Sequence, residues 1–197
     1  MPMLRIALTG GAATGKSYVL DQFRRAGVPC LVADDLAHGV TAAGTEATVA
    51  IASRFGPQVL AADGSVDRAV LGPIVFADVA ARRELEGIIH PAVYRAIEAG
   101  IRAFARAGDP LGVVEIPLLF ESGRAKDFDR VIVTACPLET QLARLISRGI
   151  DETRARQVLA AQKSTDEKTA LADFVIQTGG TKEDTDAQVR QILDQLR

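Results

Sequence analysis

Residues 10–17 read Gly10-Gly11-Ala12-Ala13-Thr14-Gly15-Lys16-Ser17 and fit the pattern G-x-x-x-x-G-K-[ST]. The setting makes the string constraining. The apolar run Leu4–Leu8 precedes it, and helical spacing at Val19, Leu20 and Phe23 follows. A short apolar run ended by glycines predicts a buried strand, and the 3.6-residue period predicts a helix, so the string lies in a strand–turn–helix. In that context glycines let successive N–H groups face inward, and the helix adds the positive end of its dipole to hold phosphate. Gly10 to Ser17, with Tyr18 behind them, are therefore the expected nucleotide contacts. Lys16 would reach the β- and γ-phosphates of ATP, and Ser17 would offer its hydroxyl to Mg²⁺.

Such an opening commits the chain to alternating strands and helices. Gly27 and Pro29 end the first helix, and Cys30–Ala33 reads as a second buried strand. Residues 36–108 read as mostly helical, broken by the turn Ala62-Asp-Gly-Ser65 and by His90-Pro91. Strands resume at Leu111–Ile116 and Arg130–Ala135, helices at 138–147 and 152–162, a last strand at Phe174–Ile176 and a closing helix at 181–196. The expected fold is α/β: a parallel sheet of about five strands, of the P-loop NTPase type, flanked by helices. Ligands then bind at the carboxyl ends of the strands. Residues 1–35 and 109–197 form the nucleotide-binding core of a single kinase-type domain, 36–108 a helical acceptor-binding insertion, and 140–165 a helical lid.

Composition narrows the class. Apolar residues make up 48% of the 197 and charged residues 24%, which excludes wholesale disorder, and the net charge of −2 gives no global attraction to nucleic acid or anionic membranes. The start Met1-Pro-Met-Leu-Arg-Ile lacks the pattern of a signal peptide, and no stretch reaches about eighteen uninterrupted apolar residues. A cytoplasmic chain is expected. Cys30 and Cys136 lie far apart within or beside apolar runs, with only His38 and His90 as further soft ligands. They read as buried, reduced thiols without zinc-site spacing.

The phosphate string fixes a ligand and leaves the acceptor open. A GTPase switch D-x-x-G occurs only at Asp109-Pro-Leu-Gly112, ahead of its strand rather than after it. Thr181-Lys-Glu-Asp184 fits the T-K-x-D pattern of guanine readers, but it opens a helix and reads as a capping box. A small-molecule kinase needs a base at a strand end, an acceptor-binding insertion and arginines that close over the phosphates. Candidates exist for all three. A nucleoside-monophosphate or other metabolite kinase fits these features, and so does a non-catalytic nucleotide-dependent switch.

One family resembles the chain across about Ile6–Ile176: the dephospho-CoA kinases, among the nucleoside-monophosphate-kinase-like P-loop enzymes. The resemblance rests on Leu8-Thr-Gly-Gly11 with Gly15-Lys-Ser17, Ala33-Asp34, Ile89-His90-Pro91, Ile116-Pro-Leu-Leu-Phe-Glu121, Arg144 with Arg148, Ala161-Gln162 and Ala172-Asp173. It implies ATP-dependent phosphorylation of the 3′-hydroxyl of dephospho-CoA, the last step of coenzyme A biosynthesis, with ATP as co-substrate and Mg²⁺ as cofactor.

The resemblance implies that Asp34 is the general base, and a carboxylate at a strand's carboxyl end agrees with that role. Asp35 beside it is the alternative, in which case Asp34 caps the next helix. Glu115 ends the run Leu111–Val114, where a carboxylate meets Mg²⁺ or its water shell. His90 would help seat the acceptor, or is a structural residue at a helix break. Pro117, Leu118, Leu119 and Glu121 belong to the acceptor side, with Glu121 either pinning that loop or capping a helix. Arg144 and Arg148, four apart, share a helical face and would close onto the transferring phosphoryl. The family often carries an Asn near the adenine, but this chain has no Asn. Gln177 and Thr178 occupy that stretch and are the expected adenine contacts.

Overall fold

A computed structural model describes residues 3–196; Met1 and Pro2, on which part of the reading of the chain start rests, lie outside the described residues. In chain order the elements are β1 (Leu4–Gly10), α1 (Lys16–Arg25), β2 (Cys30–Val32), α2 (Ala33–Val40), α3 (Glu46–Phe55), α4 (Arg68–Ala77), α5 (Val79–Ala107), β3 (Leu111–Glu115), β4 (Arg130–Ala135), α6 (Leu138–Ser147), α7 (Glu152–Ala160), α8 (Thr165–Thr169), β5 (Phe174–Gln177) and α9 (Lys182–Leu196). Among the described residues the chain forms two compact units, one running to Val32 and resuming at Ile101, the other Ala33–Gly100.

The first unit is built on a five-stranded sheet in the order β2-β3-β1-β4-β5, with every pairing parallel. Strands covered on both faces read as near-continuous apolar runs. Accordingly Ile6, Ala7, Leu8, Val113, Val114, Ile132 and Val133 have no exposed surface. On one face Val19, Leu20 and Phe23 of α1 and Val189, Ile192 and Leu193 of α9 close a core with Ile6, Leu8, Leu111, Ile132 and Ile176. A smaller cluster joins Ala13, Leu145 of α6 and Ala155 of α7. Helix α9 starts where Thr181 and Asp184 cap each other: the Asp184 N–H donates to Thr181 Oγ1 at 3.1 Å, and Asp184 Oδ2 accepts from Thr181 N–H at 3.2 Å. The T-K-x-D string is thus engaged in capping.

The second unit holds α2 to α4 and most of α5 around Ile51, Phe55, Val59, Val66, Leu71 and Ala81. The turn Ala62–Ser65 closes on a single antiparallel bridge between Leu60 and Val66. His90-Pro91 does not break the helix as the sequence predicts, because α5 runs through it for 29 residues. Proline forfeits one N–H and crowds the carbonyl of the residue four before it. Beyond it Ala92, Val93, Ile97 and Ile101 are buried at helical spacing, which holds the turns after the defect. The compact units are bounded at Ala33 and at Gly100, the second border falling inside α5.

Candidate active site

The phosphate-loop sequence leaves the sheet between its two central neighbours, β3 and β4. Sheet register sets Gly10 against Thr134. A Cβ on Gly10 would lie 2.3 Å from Thr134 Oγ1, so only glycine fits there. Thr14, fully buried, bonds through Oγ1 to the Gly11 carbonyl at 2.8 Å and to Thr134 Oγ1 at 2.7 Å. Gly15 caps α1 with φ of 84°, a left-handed conformation that costs other residues about 1–2 kcal/mol. Ala13 also adopts it, at φ 58°. The first helical bond runs from Val19 N–H to the Gly15 carbonyl at 3.2 Å, so the N–H groups of Lys16, Ser17 and Tyr18 precede the helical ladder. The Lys16 ammonium lies over the loop, donating to the Gly10 carbonyl at 3.1 Å and the Gly11 carbonyl at 2.9 Å. Backbone donors, a dipole end and a lysine ammonium converge there, which is the chemistry of a polyphosphate site.

Two braces hold the loop from the side of β5. Thr178 Oγ1 donates to the Thr14 carbonyl at 2.7 Å and to the Ala135 carbonyl at 3.2 Å. Arg144 donates through Nη1 to the Ala13 carbonyl at 3.1 Å and through Nη2 to the Thr178 carbonyl at 2.6 Å. A planar guanidinium suits two carbonyls presented this way. Arg144 and Arg148, expected on one helical face, are engaged differently in the structure. Arg144 clamps the loop to the β5–α9 turn, whereas Arg148 is exposed at the end of α6.

Of three expected nucleotide contacts, Thr178 and Tyr18 have their side chains engaged elsewhere and Gln177 does not. The Thr178 side chain is buried in the loop wall and serves the fold. Gln177 exchanges both main-chain bonds with Gln188, at 2.8 and 2.9 Å, leaving its exposed side chain for a ligand. Tyr18 donates to Asp186 Oδ1 at 2.8 Å with the Lys182 ammonium over its ring, so its side chain fastens α1 to α9. The hydrogen bond to Asp186 raises the phenol's pKa.

On the β3 side, Glu115 is 8% exposed and paired in register with Leu8 and Val32. Thr9 Oγ1 donates to the Pro117 carbonyl at 3.2 Å, bringing the Pro117–Glu121 string beside the end of β1. Leu118 is 48% exposed, but Leu119 has no exposed surface, so its side chain fills the core and does not meet an acceptor as expected. Glu121 pins rather than caps. Its Oε1 accepts from the Lys163 N–H at 3.0 Å and lies 3.0 Å from the ammonium of Lys168, which is wholly buried. Burial pushes the Glu121 carboxyl up, yet Lys168 and the N–H donors outweigh it and hold the group below the ordinary carboxylate range.

Lys168 was invisible to the sequence reading, since a lysine in Ser164-Thr-Asp-Glu-Lys looks like a solvated helical charge. Gln162 carried no assigned role. Its Oε1 accepts the N–H of Ala12 in the loop at 3.1 Å. A cavity of ≈ 860 Å³ opens beside this contact, lined among others by Gly11, Ala12, Cys136, Gln141, Gln162 and Gln177.

In the other unit, Asp34 and Asp35 lie in the first turn of α2, not at its N-cap, where the helix dipole favours carboxylates. The Asp34 carbonyl is 2.8 Å from His38 Nδ1. His90 is exposed on α5. Both cysteines are free thiols. Burial pushes the Cys30 thiol up to about 11 and raises that of Cys136, so neither is activated as a nucleophile. No cluster of three or more His, Cys, Asp or Glu side chains suited to a metal occurs among the described residues. A hydroxyl at Ser17 and a carboxylate at Glu115 are hard oxygen donors of the kind that share Mg²⁺ with phosphate and water, so they fit that ion.

The chain is similar to known proteins along nearly its whole length. The dephospho-CoA kinase family model matches residues 4–184. A dephospho-CoA kinase of Geobacillus kaustophilus is 42% identical over 193 residues, covering 98% of this chain and 96% of that protein. Among solved structures, one from Thermus thermophilus superposes with a TM-score of 0.84 at 30% identity, covering 100% of both chains. The dephospho-CoA kinase from Campylobacter jejuni gives a TM-score of 0.77 at 27% identity, covering 98% of this chain and 96% of that one. Among the described residues no helix is long and apolar enough to cross a membrane.

Proposed function

The chain belongs to the dephospho-CoA kinase family, and from that premise we propose that it transfers the γ-phosphoryl group of ATP to the 3′-hydroxyl of dephospho-CoA, giving CoA and ADP. The observation that carries the reading is the Gly10–Ser17 loop at the carboxyl end of β1, with the Lys16 ammonium lying over it.

In this reading ATP phosphates take the place of the loop carbonyls as partners of Lys16, and the N–H groups that open α1 hold the phosphate oxygens. Asp34 orients the 3′-hydroxyl and accepts its proton as the oxygen attacks phosphorus and the bond from the γ-phosphorus to the bridging oxygen breaks. Arg148, exposed at the end of α6, closes onto the transferring group, while the far end of the 140–165 segment stays held at Glu121. Arg144 holds the loop in shape. Mg²⁺, when held by Ser17 and Glu115, would neutralise charge on the phosphate oxygens. Residues 36–108 supply the acceptor site, with His90, Pro117 and the exposed Leu118 contributing contacts. Gln177 flanks the adenine. A cytoplasmic setting suits these substrates.

A coupled ADP-release assay with dephospho-CoA, AMP and shikimate as separate acceptors tests the reading. Dephospho-CoA should give the highest kcat/KM, by about 100-fold or more, because an acceptor site built for its polar groups leaves them unpaired with another substrate. A preference for AMP, or ADP release independent of any acceptor, would contradict it.

A further inference from the structure

The segment between α7 and α8 is held at one end and holds the phosphate loop at the other. Glu121, in the loop after β3, accepts the Lys163 N–H at 3.0 Å and pairs with the fully buried Lys168 ammonium at 3.0 Å. Gln141, itself buried, ties Thr165 Oγ1 to α6 through Nε2 at 3.0 Å. Ser164 and Glu167 close a capping box that shapes the same turn. Next to Lys163, Gln162 extends its carbonyl to the Ala12 N–H at 3.1 Å. Ala12 is the third residue of the loop, and its neighbour Ala13 stands in a strained left-handed conformation. A loop with strained backbone needs neighbours that over-determine it.

We infer that Gln162 is a positioning residue for nucleotide binding: it fixes the phosphate loop through the Ala12 amide, and the Glu121–Lys168 pair fixes Gln162. The inference rests on the kinase reading above and deepens it. An ammonium with no exposed surface has no water to fall back on, so losing its pairing with Glu121 is costly and the turn carrying Gln162 is held while the pair is intact. Gln162 touches no reacting atom. Its contribution is made before ATP arrives, by removing loop conformations in which the N–H groups diverge. Losing it therefore weakens ATP and leaves the acceptor's own affinity unchanged.

The test measures the ATP dissociation constant by calorimetry on the full chain, together with KM for dephospho-CoA and the thermal midpoint. Gln162→Met keeps the side chain's length and removes its acceptor. It should weaken ATP about fivefold, the size expected for one neutral hydrogen bond, with KM for dephospho-CoA within about twofold of wild type and the thermal midpoint within about 2 °C. Glu121→Gln should weaken ATP in the same direction. The double variant should be no worse than the weaker-binding single variant, because both act through one contact. If Glu121→Gln loses its fold, Glu121→Asp, which keeps the charge and shortens the reach, takes its place in the cycle. Unchanged ATP affinity in Gln162→Met, equal losses for both substrates, or multiplicative effects in the double variant would overturn the inference. Wild-type protein that binds ATP but fails to phosphorylate dephospho-CoA would sink the kinase reading instead, and the ATP constants would still decide the role of Gln162.

Discussion

Lys16 and Asp34 carry the two chemical duties of the proposed reaction, and each can be tested alone. The Lys16 ammonium bridges the Gly10 and Gly11 carbonyls. Lys16→Ala should lower kcat by about 10²–10³-fold, the scale of losing one group aimed at transition-state charge, while circular dichroism stays unchanged. A tenth or more of wild-type turnover would count against the site. Asp34→Asn should cost about 10²–10⁴-fold in kcat if Asp34 is the base, with Asp35→Asn close to wild type. The reverse ranking would move the role to Asp35. Both acids sit in the first turn of α2, so charge near a helix start cannot separate them, but substitution can. At this scale the loop was legible because its residue types are dictated by close approach, as at Gly10 against Thr134. Gln162, Thr178 and Lys168 were not, since their roles depend on partners distant in the chain.

Elements explain why Glu121 matters. The β3–β4 loop, the α7–α8 turn and α8 meet at its carboxylate, which accepts the Lys163 N–H and pairs with the buried Lys168. Because the folded Glu121 carboxyl lies below the ordinary value, its stabilising effect is complete above the unfolded glutamate's pKa of about 4.3 and fades as pH falls through the lower folded value. Glu121→Gln, which leaves the buried Lys168 without its counter-charge, should thus cost about 1–3 kcal/mol at pH 7. In thermal melts the gap from wild type should narrow as pH drops below about 4; a gap that is constant with pH would contradict the ion pair. The boundaries of α6 and β4 were readable from apolar period alone, because both are amphipathic or continuously apolar in the expected way. The break forecast at His90-Pro91 failed because a local rule about proline was weighed without the buried residues that follow it in α5.

For the molecule as a whole, strand order is the part that sequence pattern reached only in outline. Five parallel strands follow from alternation, whereas the order β2-β3-β1-β4-β5 depends on how the crossovers run, which alternation leaves open. That order puts β1 at the centre and its loop between the ends of β3 and β4, where Glu115, Thr134 and the Pro117 carbonyl bear on it. The family assignment gives this arrangement its substrate. Its most direct test is to incubate the protein with ATP, Mg²⁺ and dephospho-CoA and to locate the added phosphate by ³¹P NMR and fragment-ion mass spectrometry. The account predicts one new phosphomonoester on the ribose 3′-oxygen, formed in equal amount with ADP. Phosphate at the 2′-oxygen or on the pantetheine arm, or ADP formed with unmodified dephospho-CoA, would contradict it.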